Sequence, residues 1–131
     1  MGATLNSSLH LSWINESFAN PVIAICEFDN DIVKMLYAGT GDGHVVKFDQ
    51  DGDGQTPLWT RDTGQRIECM LVQKDGSMLF AGCSRGIYAL DVNTGVDKWF
   101  RETLGPILTL AQIGNILYCG GRDGWIYPIE L

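Results

Sequence analysis

The stretch LFAGCSRGIYALDVNTGVDKW, residues 79–99, decides the fold of this 131-residue chain, because its pattern occurs three times. Each copy has an aromatic residue, one small residue and a glycine, followed by a tight turn that ends in a second glycine. The copies are Tyr37–Gly43, Phe80–Gly86 and Tyr118–Gly124. They recur at a period of about 40 residues, which is typical of repeats that each form one four-stranded sheet.

Short apolar runs surround each copy. Strands are expected at Val22–Cys26, Ile67–Val72 and Ile107–Gln112, each followed by a turn of Asx or Gly residues. Such turns join antiparallel strands because Gly, Asn and Asp tolerate positive φ. After the second turn, equivalent positions of a third strand are occupied by Val45, Ile87 and Ile126, and then by Phe48, Leu90 and Ile129. A fourth strand is expected at Trp59 and at Trp99. No stretch has the 3.6-residue apolar period of a helix, so the sequence predicts an all-β protein.

These residues resemble the PQQ-like, or quinoprotein-type, β-propeller repeat. The match is closest over Leu36–Asp49 and Leu79–Trp99 and extends over nearly the whole chain. The resemblance implies a β-propeller built of about three four-stranded blades. Members of this family that are quinone dehydrogenases carry a larger closed ring and dedicated cofactor ligands, which have no counterparts here. The resemblance therefore implies the scaffold and no cofactor, and fold alone does not specify function.

The register of the chain ends is permuted. We expect a single domain, residues 1–131, divided into an orphan outer strand (1–17), blade 1 (18–64), blade 2 (65–105) and an incomplete blade 3 (106–131). The third copy reaches Leu131 without a strand that carries Trp. At the other end, Trp13–Ser17 aligns with Trp59–Thr63 and Trp99–Thr103, so residues 9–14 are expected to form an orphan fourth strand.

Propellers commonly close when one terminus completes a blade begun by the other, which removes exposed strand edges. Three blades are fewer than the usual four to eight. We therefore expect a homodimer that forms a six-bladed ring. The expected interface places one group of residues of one chain beside another group of the second chain: Leu9, Leu11 and Trp13 against Ile126, Tyr127, Ile129 and Leu131. The alternatives are a larger ring, a ring closed with a different protein, and a truncated or engineered piece of a longer propeller.

Composition limits the partners and the location. The net charge is −7, and the nine Lys and Arg residues are scattered, so nucleic acid is not expected as a partner. No apolar run is long enough to cross a membrane. Residues 1–12 have neither a basic residue nor an apolar block, so no secretory signal is expected and the protein is expected in the cytoplasm. The four cysteines lack the close spacing of metal knuckles and are expected to be buried and reduced, with disulfides as the alternative.

Little in the sequence points to catalysis or to metal binding. Residues Asp49–Gly54 have the D-x-D-x-D-G spacing that opens a calcium loop, but the ninth and twelfth positions are Pro57 and Thr60 instead of acids. A polar hairpin loop is the alternative. His10 and His44 have no cysteine or acid at ligand spacing, and Ser7 and Ser8 have no adjacent base. We expect no catalytic residue, no metal and no cofactor.

The predicted function is therefore that of a non-catalytic binding or scaffold module, with a protein ligand as a further partner. A calcium-dependent or quinone-dependent propeller enzyme is the alternative from another class. It predicts metal or cofactor in the purified protein.

Overall fold

Three antiparallel sheets follow one another along the chain in the computed structural model, which describes residues 18–131. Blade 1 consists of β1 (Val22–Asp29), β2 (Lys34–Thr40), β3 (His44–Asp49) and β4 (Trp59–Asp62). Blade 2 consists of β5 (Ile67–Val72), β6 (Met78–Cys83), β7 (Gly86–Asp91) and β8 (Asp97–Glu102). Blade 3 consists of β9 (Ile107–Ile113), β10 (Ile116–Gly121) and β11 (Ile126–Glu130). The described residues contain no helix, so the all-β prediction is confirmed.

Each sheet is a simple meander in which neighbours in sequence are neighbours in space. Blade 1 begins with a strand longer than the sequence indicated, because β1 continues to Asp29 before its turn. Blade 3 has three strands among the described residues, and the predicted orphan strand at residues 9–14 lies outside them. From residue 18 onward, no helix is long and apolar enough to cross a membrane.

The three blades share one register. Gly39 pairs with Val45, Gly82 with Ile87, and Gly120 with Ile126. The first strand of each blade also has a register shift at the same place. It comes directly after the residue that pairs with the position following this glycine, which is Val22, Ile67 or Ile107. The alignment of the third strands predicted from sequence is therefore confirmed. The repeat is one backbone geometry used three times.

The core lies between the blades. Because side chains alternate along a strand, blade 2 directs Leu79, Ala81 and Leu90 toward blade 1 and Phe80 and Ile87 toward blade 3. All five are inaccessible to solvent. The middle blade is thus covered on both faces, whereas each outer blade has one neighbour among the described residues.

Candidate functional site

The face of blade 3 that points away from blade 2 is not covered by any other blade of the described chain. Val45, Ile87 and Ile126 occupy the same register position in the three blades. The first two are 0% exposed because the following blade covers them, whereas Ile126 is 72% exposed. Leu108 and Ile113 of β9 are also exposed. An apolar position that is a core position in two blades is therefore open to solvent in the third.

The outer edge of β11 is a second open feature, since no described strand pairs with it. The N–H of Leu131 donates to the carbonyl of Asn115 (2.8 Å), and the N–H of Gly121 donates to the carbonyl of Trp125 (2.9 Å). Because backbone groups alternate in direction along an antiparallel strand, the odd-numbered residues bond to β10 and the even-numbered residues face the edge. Pro128 is one of the even-numbered residues and has no N–H. The edge therefore offers the backbone N–H groups of Ile126 and Glu130 and the backbone carbonyls of Ile126, Pro128 and Glu130.

The structure separates the predicted interface residues into groups. Ile126 points to solvent, whereas Tyr127, Ile129 and Leu131 pack against blade 2. Ile129 belongs to the core between blades 2 and 3, and the partly buried Tyr127 and Leu131 pack against that core, so none of the three side chains is free to form the predicted contact. The remaining predicted interface residues, which lie outside the described residues, are Leu9, Leu11 and Trp13.

Blades 1 and 2 show how two blades are joined through polar groups. The carbonyl of Val92 accepts hydrogen bonds from Trp59 Nε1 (2.8 Å) and from Lys47 Nζ (2.6 Å). Lys47 is only 7% exposed, and its burial lowers the pKa of the ammonium group. The negative charges of Asp91 and Asp49 act in the opposite direction and raise this pKa, but the effect of burial is larger. The sequence placed Trp59 on a fourth strand, but the role of Lys47 was missed. An isolated lysine in a strand gives no sign that its ammonium group is covered by the next blade.

No acid at ligand spacing to His44 was identified in the sequence, yet the structure places two carboxylates beside this residue. Its Nδ1 lies 3.1 Å from Asp42 Oδ2, and its Nε2 lies 3.8 Å from Asp62 Oδ2. The Thr40 hydroxyl donates to Asp42 Oδ1, and this bond is the main reason that the pKa of Asp42 is lowered. Asp42 is two positions before His44, and the cross-strand pairing of β3 with β4 supplies Asp62. The first relationship was readable in the sequence, whereas the second required the register.

This acidic and histidine cluster lies beside a cavity of about 270 Å³ on blade 1. Phe18, Val46 and Phe48 line its apolar side, and the ring of Phe18 meets that of Phe48 edge to face at 6.3 Å. The Thr40 hydroxyl donates to Asp42 Oδ1, lies 3.4 Å from the His44 carbonyl oxygen and accepts the N–H of His44 at 3.0 Å. The other candidates for catalysis, His10, Ser7 and Ser8, lie outside the described residues.

Two of the three carboxylates of the D-x-D-x-D-G loop, those of Asp49 and Asp53, accept hydrogen bonds from their own loop. Asp49 Oδ1 accepts the N–H of Asp51 at 3.0 Å. Asp53 Oδ1 accepts the N–H groups of Gln55 and Thr56, both at 2.8 Å, and its Oδ2 accepts the Thr56 hydroxyl at 2.9 Å. These bonds lower the pKa of Asp53. Within residues 18–131, no group of three or more His, Cys, Asp or Glu side chains is placed to hold a metal ion.

All four cysteines are free thiols. Cys83 and Cys119 are buried, whereas Cys26 and Cys69 are half-buried. Burial raises the pKa of Cys26, Cys69 and Cys83 to about 12 and that of Cys119 to about 11. Thiols of this kind act as small apolar groups and are poor nucleophiles at neutral pH.

A larger groove, of about 680 Å³, separates blades 1 and 2 at the end of the strands where the β1–β2, β5–β6 and β7–β8 loops meet. Phe28 and Met35 line its apolar wall. Asp75, Asp91 and Lys98 line its polar wall, and Lys98 Nζ lies 3.5 Å from Asp91 Oδ2. The groove offers apolar and charged groups side by side.

Comparison with models of known protein families finds no match, and comparison with curated proteins finds none either. Solved structures do match. The computationally designed Ika8 protein is 19% identical, with a TM-score of 0.73, over 88% of this chain and 35% of its own. BamB from Moraxella catarrhalis is 18% identical, with a TM-score of 0.63, over 86% of this chain and 36% of its own. The chain thus spans about a third of the length of these two proteins. At this identity the likeness shows the fold, which is that of a β-propeller.

Proposed function

We propose that this chain is a non-catalytic scaffold or binding module of PQQ-like repeats that closes into a six-bladed ring with a second copy of itself. The observation that carries the proposal is the unequal exposure of one register position. Val45 and Ile87 are fully buried by a following blade, and Ile126, their equivalent, is 72% exposed. A neighbouring blade supplied by a second chain would cover Ile126 as blades 2 and 3 cover the other two.

Strand addition at β11 completes the proposed ring. The segment that contains Leu9, Leu11 and Trp13 aligns in sequence with the fourth strands of blades 1 and 2, and no strand of the described residues pairs with the outer edge of β11. Exposed edges favour pairing with another chain, and a two-fold axis pairs both edges by one repeated contact. Pro128 removes one donor from this ladder, so the added strand receives the N–H groups of Ile126 and Glu130 only.

The local hydrogen bonds of the polar side chains and the raised pKa values of the thiols support a role without catalysis. The Thr40 hydroxyl and the Asp53 carboxylate are committed to local hydrogen bonds, and the cysteine thiols have raised pKa values. The groove between blades 1 and 2 offers a surface for a protein ligand. Free, buried thiols fit a reducing compartment, in line with a cytoplasmic location.

The mass in solution tests the proposal. Light scattering coupled to size exclusion is expected to give twice the chain mass of 14.4 kDa. Deletion of residues 1–13 is expected to give a monomer, because the added strand is lost. Asp53→Ala is the control, since among residues 18–131 the hydrogen bonds of this side chain stay within its own loop and its loss should leave the dimer intact. A full-length chain that runs as a monomer, with thermal stability unchanged by the deletion, would show that the proposal is wrong.

A further inference from the structure

We infer that Gly120 is a docking notch for Val22 of a second copy of this chain. The inference rests on the proposed ring and specifies a side-chain contact across its interface. It concerns the face of blade 3 and is separate from strand addition at the β11 edge.

The two internal blade junctions each contain such a notch. A Cβ placed on Gly39 would lie 2.9 Å from the Cβ of Ile67, the first residue of blade 2. A Cβ placed on Gly82 would lie 3.1 Å from the Cβ of Ile107, the first residue of blade 3. Both distances are shorter than nearly all real contacts of a Cβ atom. Glycine therefore lets a β-branched side chain of the following blade approach the backbone.

Gly120 has the same register and no such neighbour. Among the described residues, a Cβ at Gly120 would meet only Thr109 of its own blade, whose Cγ2 would lie at 2.6 Å. Within residues 18–131, no side chain of a following blade approaches it. The adjacent position on the next strand is the exposed Ile126, so the notch lies on the same open face.

Val22 is equivalent to Ile67 and Ile107, the side chains that fill the two internal notches, but among the described residues it has no such notch to fill. It pairs with Thr40 as Ile67 pairs with Cys83 and Ile107 with Gly121, and the same strand irregularity follows each of them. All three residues are β-branched. Ile67 and Ile107 are 0% exposed, whereas Val22 is 46% exposed.

One chain thus presents an unfilled notch at one face and an exposed side chain of the required shape at the other. A second copy is the occupant that supplies both, because its Val22 would fill this Gly120 and its Gly120 would receive this Val22. In a two-fold assembly one contact, made twice, covers both faces.

The experiment compares the dimer dissociation constants of four chains by sedimentation equilibrium. Thr109→Ser alone removes Cγ2 and is the matched control, expected to dimerise like the wild type. Combined with Gly120→Ala, it allows the new Cβ to fit within its own blade, while the Cβ still collides with an incoming Val22. We expect at least about tenfold weaker association of this double variant. Val22→Ala should weaken association by a similar factor, because apolar contact is lost in both copies of the interface.

Thermal unfolding shows whether each variant folds, and Val22→Ala provides a second reading, since its side chain is partly exposed in the described chain. If the dimer dissociation constant is unchanged in the Gly120→Ala, Thr109→Ser double variant, or is unchanged in Val22→Ala, the inference is overturned and the proposed ring still stands. A wild-type chain that stays monomeric, or that pairs only with a different protein, would overturn both.

Discussion

Trp59 of blade 1 donates a 2.8 Å hydrogen bond from its indole Nε1 to the carbonyl of Val92, on blade 2. The same indole covers Gly95, where an added Cβ would lie 2.7 Å from the Cε3 atom of the ring. Gly95 has a φ of 77°, a conformation that favours glycine. The last strand of one blade is therefore fixed to the last loop of the next by one polar and one apolar contact.

Substitution of Trp59 separates these two contributions. Trp59→Phe keeps an aromatic ring and removes the donor, so we expect the free energy of unfolding to fall by about 1 kcal/mol. Trp59→Ala also removes the packed ring and should lower it by about 3–5 kcal/mol. Urea denaturation measures both. Trp125→Phe is the control, with an expected change within about 0.5 kcal/mol, because Trp125 is 57% exposed. Equal losses for the Trp59→Phe and Trp125→Phe variants would contradict a role for the Nε1 bond.

Gly82→Ala tests the close packing around Gly82, both within blade 2 and against blade 3. The new Cβ would lie 2.5 Å from Cys69 Sγ on the neighbouring strand of blade 2 and 3.1 Å from the Cβ of Ile107 of blade 3. We expect the free energy of unfolding to fall by about 1–3 kcal/mol, as in other overpacked cores. Gly105→Ala is the matched control, since no described atom lies within 4 Å of its Cβ position. Differential scanning calorimetry should show a lower midpoint for the first variant only; a shared shift would indicate a backbone effect instead.

Acidification should destabilise the fold through its turn carboxylates. Hydrogen bonds lower the pKa of Asp42, Asp53, Asp75 and Asp91, from Thr40, Thr56, Ser77 and Asn93 respectively. A pKa that is lower in the folded state than in the unfolded state contributes stability above the unfolded value of about 3.9. This contribution is lost as the pH falls through the folded values. Urea midpoints should thus be similar at pH 7 and 5 and lower at pH 3. A midpoint that is as high at pH 3 as at pH 7 would show that these bonds add nothing.

Calcium should not bind tightly to Asp49–Gly54. Asp49 and Asp53 already accept hydrogen bonds from the N–H groups of their own loop, and acids are absent at the ninth and twelfth positions. Since calcium requires six or more oxygen ligands, binding would have to break these turns. Isothermal titration is expected to show no binding below micromolar concentration. Sub-micromolar binding that disappears in Asp51→Ala would contradict this.

The sequence by itself predicted the hairpins, the alignment of the third strands and the repeat, although it ended β1 at Cys26 and the strand continues to Asp29. The alignment of Val45, Ile87 and Ile126 was readable because tight Gly and Asx turns fix the pairing of adjacent strands, and the period of two fixes which side chains share a face. It also located Trp59 and Trp99 as equivalent residues of the fourth strands. Each of these positions is set by strand pairing within one blade, and the same pairing recurs in each blade.

Only the tertiary structure decided which faces are covered. Ile87 and Ile126 have the same local pattern, yet one is fully buried and the other is 72% exposed, because blade 3 follows blade 2, whereas the described residues form no blade after blade 3. The same holds for Lys47, whose ammonium group bonds to Val92 of the next blade, and for His44, which reaches Asp62 across a strand pair. Burial and long-range contact depend on the neighbouring blade, and alternation within one strand carries no information about whether that neighbour is present.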